Sequence, residues 1–575
     1  MRKACLAALL LFTLMPFNGA QAQYVTGARL DPDVYVKIPK TPPLARGGYA
    51  SLPPSVSLKK FAPTPGDQGR QGSCVGWASA YAARTLSEAE RLQMGDRAAI
   101  NQSRFSPAFV YNQIRLGGCG DGSYPSDALD LIKNVGVPLL KDFPYTDESC
   151  NREPERNELS LASGYRIKGY QRLFNDDSTA KHIAVRRSLA NGHPVVIGMQ
   201  VSENFMRSSE VYRGSNEDLM ALQTGDLGGH AMAVIGYDDT KYGGAFEFIN
   251  SWGTDWGNGG FIWVTYDAFN TYVMQGYEMI PPDPPRPPAV VDMGGEIRFR
   301  HISGRPMPGS IVSAGMSFRL DDPWPSGTRF RVEIGASDGA YVYALGGDLS
   351  GKFVELFPRG GGVSPHVDGG STLLMPGPNE QFFTRMNDDT GTDFYVVLFA
   401  REPLPVKDIV ARMSDASGNV RDKLEAALGD LAVDSANVKL TGNGMGFEAA
   451  SDGRTVVPMV VSIEHVDRAP ADRDRDPPKL VVSEPAVDEL EQVVTDDPVR
   501  RVSSPTFLLR GNAQDEGRIQ SVEVAEAGAT RFSSRGPFQA EIEIPDDNQP
   551  HEVRISAVDA DGNRAETTIR VIVKP

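Results

Sequence analysis

Cys74 stands in "GDQGRQGSCVGWASAYAAR" (Gly66 to Arg84), six positions after Gln68 and behind the glycines at 66, 69 and 72. A thiol in the first turn of a helix meets unpaired backbone N–H groups and the positive end of the helix dipole. Both favour an anion, and the thiolate is the reactive form of cysteine. A thiolate nucleophile needs a base, and the sequence holds seven histidines. His230, in "GDLGGHAMAVIGYDD", has glycines before it that open space and an alternating strand after it. Asn250 closes "AFEFIN", and an amide there can hold an imidazole in one orientation without adding charge. Gln68, with the backbone N–H of Cys74, offers donors for an oxyanion. Together Cys74, His230, Asn250 and Gln68 could carry out acyl transfer. Taken singly, each has a plainer reading: a small buried residue, a structural histidine, a strand-end amide, a loop glutamine.

The other histidines point to no chemistry. His182 and His193 lack special context, and His301, His366, His465 and His551 fall in β-patterned regions as structural residues. Cys, His, Asp and Glu do not cluster at metal-ligand spacings, so no metal and no cofactor is expected.

The elements that must position these groups are legible. Val75, Ala78, Tyr81, Ala82, Leu86 and Ala89 recur at spacings of three and four, which predicts a helix with one apolar face starting at Cys74. The strands at His230 and Asn250 flank a polar turn containing Thr240, so a hairpin would set His230 opposite Asn250.

The chain has 575 residues, 40% hydrophobic and 23% charged, with a formal net charge of −16. That length suggests several domains. A surface this acidic repels phosphate backbones and argues against nucleic-acid partners. Arg2 and Lys3, the apolar run Cys5 to Phe17 and "AQA" at 20–22 read as a signal peptide cleaved after Ala22. The apolar run is too short to span a bilayer comfortably, and no later stretch qualifies. The expectation is an exported protein without a membrane span, periplasmic or extracellular. Cys5 leaves with the signal. Of Cys74, Cys119 and Cys150, two can pair in an oxidising compartment and one is left over.

These residues resemble the papain-like cysteine peptidases. Gln68 and Cys74 match that family's glutamine, six residues, cysteine. "GHAMAVIGYDD" is similar to the stretch around its histidine, and "NSWGTDWGNGGF" is close to its "NSWGxxWGxxGY". The resemblance implies that Cys74 is the nucleophile and His230 its ion-pair partner and proton donor. It also implies that Asn250 orients His230, Gln68 lines the oxyanion hole and Trp252 covers the His–Asn contact. "GGCGDGSYPSDALDLIKNVGV" places Gly122 near where substrate backbone is held, with Tyr124 and Pro125 at side-chain pocket positions; Trp252 is grouped with these as substrate-binding. Cys119 and Cys150 align with single members of two different family bridges, which implies that they pair with each other. The chain departs from the family at Gln71, usually cysteine, and at Val75, usually tryptophan. The Cys74–His230 separation of 156 slightly exceeds the usual span of about 130–150, so a loop insertion is expected.

The implied fold is α+β: a papain-like unit with a helical and a β-barrel-like subdomain, followed by all-β accessory domains. The sequence divides into an arm or short propeptide at 23–50, the peptidase domain at 51–280 and a proline-rich linker at 281–288. A β domain with a helix over 405–428 occupies 289–466, a second linker 467–479, and an immunoglobulin-like β-sandwich 480–575. Asp559 and Asp561 could bind calcium, but turn formation explains them better. The expected partners are protein or peptide substrates, with a cell-surface or protein partner for the C-terminal domains. Two alternatives stand beside hydrolysis: an inactive scaffold for adhesion or peptide binding, and acyl transfer to an amine by a ligase on the same site.

Overall fold

The structure is a computed structural model that describes residues 24–45, 52–285, 291–312, 316–377, 383–442, 444–467, 476–488, 497–515, 518–525 and 529–573. The expected signal peptide lies outside the described residues, as does most of the second linker.

Helix α1 (74–91) opens as Cys74–Gly76, runs in π-helical geometry over Trp77–Arg84, and returns to α over Thr85–Arg91. Its apolar spacing predicts one buried face, yet residues 74 to 89 are buried all round. The small residues Gly76, Ala78, Ser79, Ala80, Ala82 and Ala83 permit this, because neighbours approach the backbone closely. A Cβ at Gly76 would lie 2.6 Å from the carbonyl oxygen of Pro107, at the start of helix α2 (Pro107–Ile114). Arg84, 1% exposed, survives burial by pairing with Glu88 at 2.9 Å. Helix α3 (Pro125–Asn134) completes this helical layer.

Beside it lies an eight-stranded sheet. Its strands are β1 (Ser55–Ser57), β2 (Gly169–Arg172), β3 (Val195–Val201), β4 (Val211–Tyr212), β5 (Gly228–Asp238), β6 (Ala245–Ile249), β7 (Phe261–Thr265) and β8 (Val273–Ile280). The order is β2-β8-β3-β5-β6-β7-β4, with β1 on β5. Helix α1 packs on β5 and β3, and this contact brings Cys74 to the strand that carries His230. One apolar core unites helices and sheet, from Ala28 to Met279.

Cys119 and Cys150 form a disulfide, closing a loop of sequence separation 31. The carbonyl of Cys119 accepts from Gly72 N at 2.9 Å and Tyr111 Oη at 2.7 Å, which ties the loop to the backbone just before Cys74. Loop-closure entropy for this separation is worth about 3.5 kcal/mol. Cys150→Ala should therefore lower unfolding stability by about 2–4 kcal/mol in urea titration.

Residues 293–466 build a seven-stranded and an eight-stranded sheet around a second core, which also takes in Leu44, Ala180 and Ile183. The single helix expected over 405–428 is two, Val406–Asp415 and Val420–Leu428. Gly418, at φ +100°, breaks the run, and Asn419 then caps the second helix in a capping box with Asp422. The last region packs two four-stranded sheets on a third core, from Val502 to Val573. In its final hairpin Asp559 accepts from the backbone N of Asp561 and Asn563, both at 2.9 Å, and from Asn563 Nδ2 at 2.8 Å. Its oxygens are spent on the turn. Among the described residues no helix is long and apolar enough to cross a membrane.

Candidate active site

Helix α1 begins at Cys74, with Ser73 as its N-cap residue, so the thiol sits in the first turn. Cys74 is a free cysteine, fully buried. Its sulfur is approached by the backbone N–H groups of Ala231, Gly27, Val75 and Cys74 itself. Ala231 adjoins His230 on β5, so the thiol lies against the strand that carries the imidazole.

His230 Nε2 donates to Asn250 Oδ1 at 2.7 Å, and that oxygen also accepts from Ser251 N at 2.8 Å. His230 Nδ1 is buried without a hydrogen-bond partner among the described residues. With Nε2–H committed to the amide, Nδ1 carries the lone pair. Trp252 stacks on the ring at a centroid distance of 4.4 Å.

The contact forms differently from a directly opposed hairpin pair. Strands β5 and β6 pair Ala233 with Ile249 and Val234 with Phe248, and a bulge precedes the pairing of Gly236 with Glu247. Continued past the end of β6, that register sets His230 opposite Trp252. Asn250, just past the end of β6, reaches His230 diagonally. The spacing therefore identifies the pair but misplaces its register by two residues.

Gln68 is fully buried. Its Oε1 accepts from Ser251 Oγ at 2.7 Å, while Nε2 donates to Gln71 O at 2.8 Å and Val25 O at 3.1 Å. Val25 belongs to a segment that lies across the site. Trp252 Nε1 donates to the same carbonyl at 3.0 Å, and Tyr24 stacks on Trp252 at 4.8 Å. Gly27 N and Ala28 N donate to Gly229 O at 3.1 and 2.9 Å. Ser123 N donates to Gly27 O at 2.9 Å and Arg29 N to Ser123 O at 3.0 Å, so Ala28 and Ser123 form a parallel bridge. Leu30 packs over Gly198: a Cβ there would fall 2.3 Å from its Cδ2. The arm thus runs extended between the Ser123 loop and the start of β5, directly over Cys74.

The expected substrate-side residues fall around this segment. Gly122 has φ +73°, and a Cβ there would lie 2.0 Å from Gly27 O. Pro125 is buried at the first position of α3, and Tyr124 is half-buried before it. The backbone partners of the extended segment are Ser123 and Gly229, which the sequence does not single out. Glycine at 228 and 229, before the histidine, is the signal that could have found the second.

With the arm seated, burial pushes the Cys74 thiol up to about 11, and burial pulls His230 down to about 4 against the opposing Asn250 hydrogen bond. The lowered thiol expected from the helix dipole is therefore not the state of the covered site. Excluding water penalises both members of an ion pair more than the N–H groups around the sulfur compensate.

Residues 59–281 match the papain family of cysteine proteases. The chain contains a papain-family cysteine protease domain. A cysteine protease of Blomia tropicalis is 26% identical over 226 residues, covering 38% of this chain and 62% of that protein. Cathepsin K of Gallus gallus is 27% identical over 203 residues, covering 34% of this chain and 53% of that protein. The chain thus spans between half and two thirds of the length of these two relatives. Among solved structures, xylellain, a cysteine protease from Xylella fastidiosa, is 24% identical with a TM-score of 0.37, covering 45% of this chain and 98% of that one. The papain-family domain accounts for the helical layer and the eight-stranded sheet; the β-rich remainder of the chain lies beyond the match.

Proposed function

We propose that the chain is an exported cysteine-type peptidase that hydrolyses peptide bonds through Cys74, His230, Asn250 and Gln68, held latent by residues 24–30. One observation carries the reading. An extended stretch of peptide already lies in the groove beside Cys74, with a carbonyl on the Gln68 amide. The groove accepts peptide backbone, and Gln68 donates to the kind of atom that becomes an oxyanion.

The steps follow from the positions of these groups. His230 Nδ1 takes the Cys74 proton, and the sulfur attacks the substrate carbonyl carbon. Charge on the carbonyl oxygen is met by Gln68 Nε2–H and the Cys74 N–H at the helix start. The imidazolium gives its proton to the leaving amine nitrogen as the C–N bond breaks. Water then loses a proton to His230 and attacks the thioester, and the thiol is regenerated. Asn250 keeps the ring turned so that Nδ1 faces the sulfur. Asn250→Ala removes that acceptor and leaves Nε2–H buried and unpaired. It should lower kcat by about 100-fold with a much smaller change in KM, read in steady-state kinetics.

Latency is assigned to the arm because its backbone fills the same donors a substrate needs. Export is supported by the N-terminal charge and apolar run and by the Cys119–Cys150 disulfide. The boundaries proposed are those of the sequence: a peptidase unit with helical and β subdomains to 280, a β domain to 466 and an immunoglobulin-like sandwich from 480. Digestion of a peptide library, with added amine as competitor, tests the reading. New N-termini and free carboxylates support hydrolysis. Amide products with the added amine would assign transfer, and no products from arm-free protein would contradict the proposal.

A further inference from the structure

The protease domain meets the next β region through a buried polar cluster that the proposed chemistry does not use. His193, in the turn between helix α4 (Lys181–Ala190) and β3, and Glu278 on β8 come from the protease side. Asp368 comes from the β region, just after the strand His366–Val367. One ligand atom from each of His193, Glu278 and Asp368 lies within 4.8 Å of the others.

The carboxylates share a pattern. Gln171 Nε2 donates to Glu278 Oε2 at 2.6 Å, and Glu278 Oε1 faces His193 Nδ1 at 3.0 Å. Arg187 and Asn191 donate to Asp368 Oδ2 at 2.7 and 3.0 Å. Among the described residues Asp368 Oδ1 has no hydrogen-bond partner, although the residue is 3% exposed. It lies 3.5 Å from His366 Nδ1, which is likewise buried without a hydrogen-bond partner among the described residues. One oxygen of each carboxylate is thus pinned by a neighbouring donor, and the other is presented to an imidazole. Outer partners hold metal-ligating carboxylates in this way. A cavity of about 270 Å³, lined by His193, His366, Asp368, Asp338 and Tyr341, borders the cluster and gives an entry path. Buried acceptors left unpaired beside such a space are costly.

We propose that His193, Glu278 and Asp368 bind a divalent transition-metal cation of the zinc class, with His366 positioned beside it. Imidazole nitrogen with carboxylate oxygen is the donor set zinc favours. Zinc–nitrogen and zinc–oxygen bonds of about 2.0–2.1 Å in tetrahedral geometry separate neighbouring ligand atoms by about 3.3 Å. The His193–Glu278 separation of 3.0 Å is close to that value, and all three ligand atoms fall within 4.8 Å of one another. Binding releases to solvent the proton that His193 Nδ1 donates to Glu278 Oε1; two carboxylates and a neutral imidazole then balance the ion, and Arg187 stays on the outer oxygen of Asp368. The cation joins Asp368 of the β region to the protease domain, independently of the peptidase reading.

The test uses the full chain carrying Cys74→Ser, because a free thiol would itself capture zinc. After stripping with a chelator, cobalt(II) chloride is titrated while visible ligand-field absorption is read, and zinc chloride is titrated by calorimetry. One saturable equivalent is expected, weakened at least about 30-fold by His193→Gln and by Asp368→Asn. No saturable binding, or unchanged affinity in both variants, overturns the proposal. If neither variant unfolds cooperatively, anomalous scattering from zinc-soaked Cys74→Ser crystals decides. A peak between His193 and Asp368 supports the site; its absence there overturns it.

Discussion

Cys74→Ser is expected to lower kcat/KM for peptide hydrolysis by at least about 10⁴-fold, with the fold intact. That factor is about 5.5 kcal/mol of lost transition-state stabilisation at 1.36 kcal/mol per decade. Serine fits the space, so the fully buried site loses no packing of consequence. The hydroxyl proton is far harder to remove than the thiol proton. The base opposite is a neutral imidazole oriented by an amide without charge, as the 2.7 Å His230–Asn250 hydrogen bond indicates. Such a base can be matched to a thiol, and it leaves a hydroxyl largely unionised. Urea unfolding of the variant should superimpose on that of the wild type within about 0.5 kcal/mol. Turnover measured on the two proteins after arm displacement checks the prediction.

Gly27→Ala is expected to raise peptidase activity and thiol alkylation at neutral pH by about 10–100-fold. A Cβ on Gly27 would lie 2.2 Å from the carbonyl oxygen of Gly72 and 2.5 Å from its carbon, a backbone contact that cannot relax without lifting the arm. The arm is poorly defended against such a clash. Its backbone and side-chain hydrogen bonds to Gln68, Trp252, Gly229 and Ser123 are worth about 0.5–1.5 kcal/mol each, net. Ordering the segment costs about 1 kcal/mol per residue. The difference is small, so a steric conflict of a few kcal/mol reverses it. The increase should appear in the rate of Cys74 modification by a small thiol reagent as well as in substrate turnover.

The same contact predicts a pH dependence. With the arm seated His230 titrates at about 4; in water an imidazole titrates near about 6.5. The arm-free state therefore binds the proton more tightly, and seating weakens as pH falls from about 6.5 towards 4. Each pH unit in that window is worth at most a tenfold change. Wild-type alkylation should accelerate on mild acidification relative to a free thiol, while Gly27→Ala shows little of this effect.

How far the sequence reaches depends on the distance over which each feature is written. Gln68 and Cys74 lie within one loop and helix start, so their spacing is a local property and survives folding unchanged. His230 and Asn250 are legible as a pair, but the turn is centred between Asp238 and Ala245, past Thr240, and the bulge between Val234 and Gly236 makes up only one residue of the resulting offset. The break at Gly418 is written as a glycine before an Asn–Asp capping pair, a signal outweighed by apolar spacing on both sides. The course of residues 24–30 has no periodicity, because an extended segment held by backbone groups imposes little on its side chains. The cluster at His193, Glu278 and Asp368 is silent in sequence, since its members are far apart and meet through tertiary packing alone.

The central claim is that Cys74 is the nucleophile that attacks peptide carbonyls. Its most direct test is mass mapping of the Gly27→Ala chain after reaction with a peptidyl epoxide, alongside residual activity. One covalent equivalent on Cys74, with activity lost in proportion to labelling, is the predicted result. Full labelling of Cys74 with peptide cleavage undiminished would contradict the account.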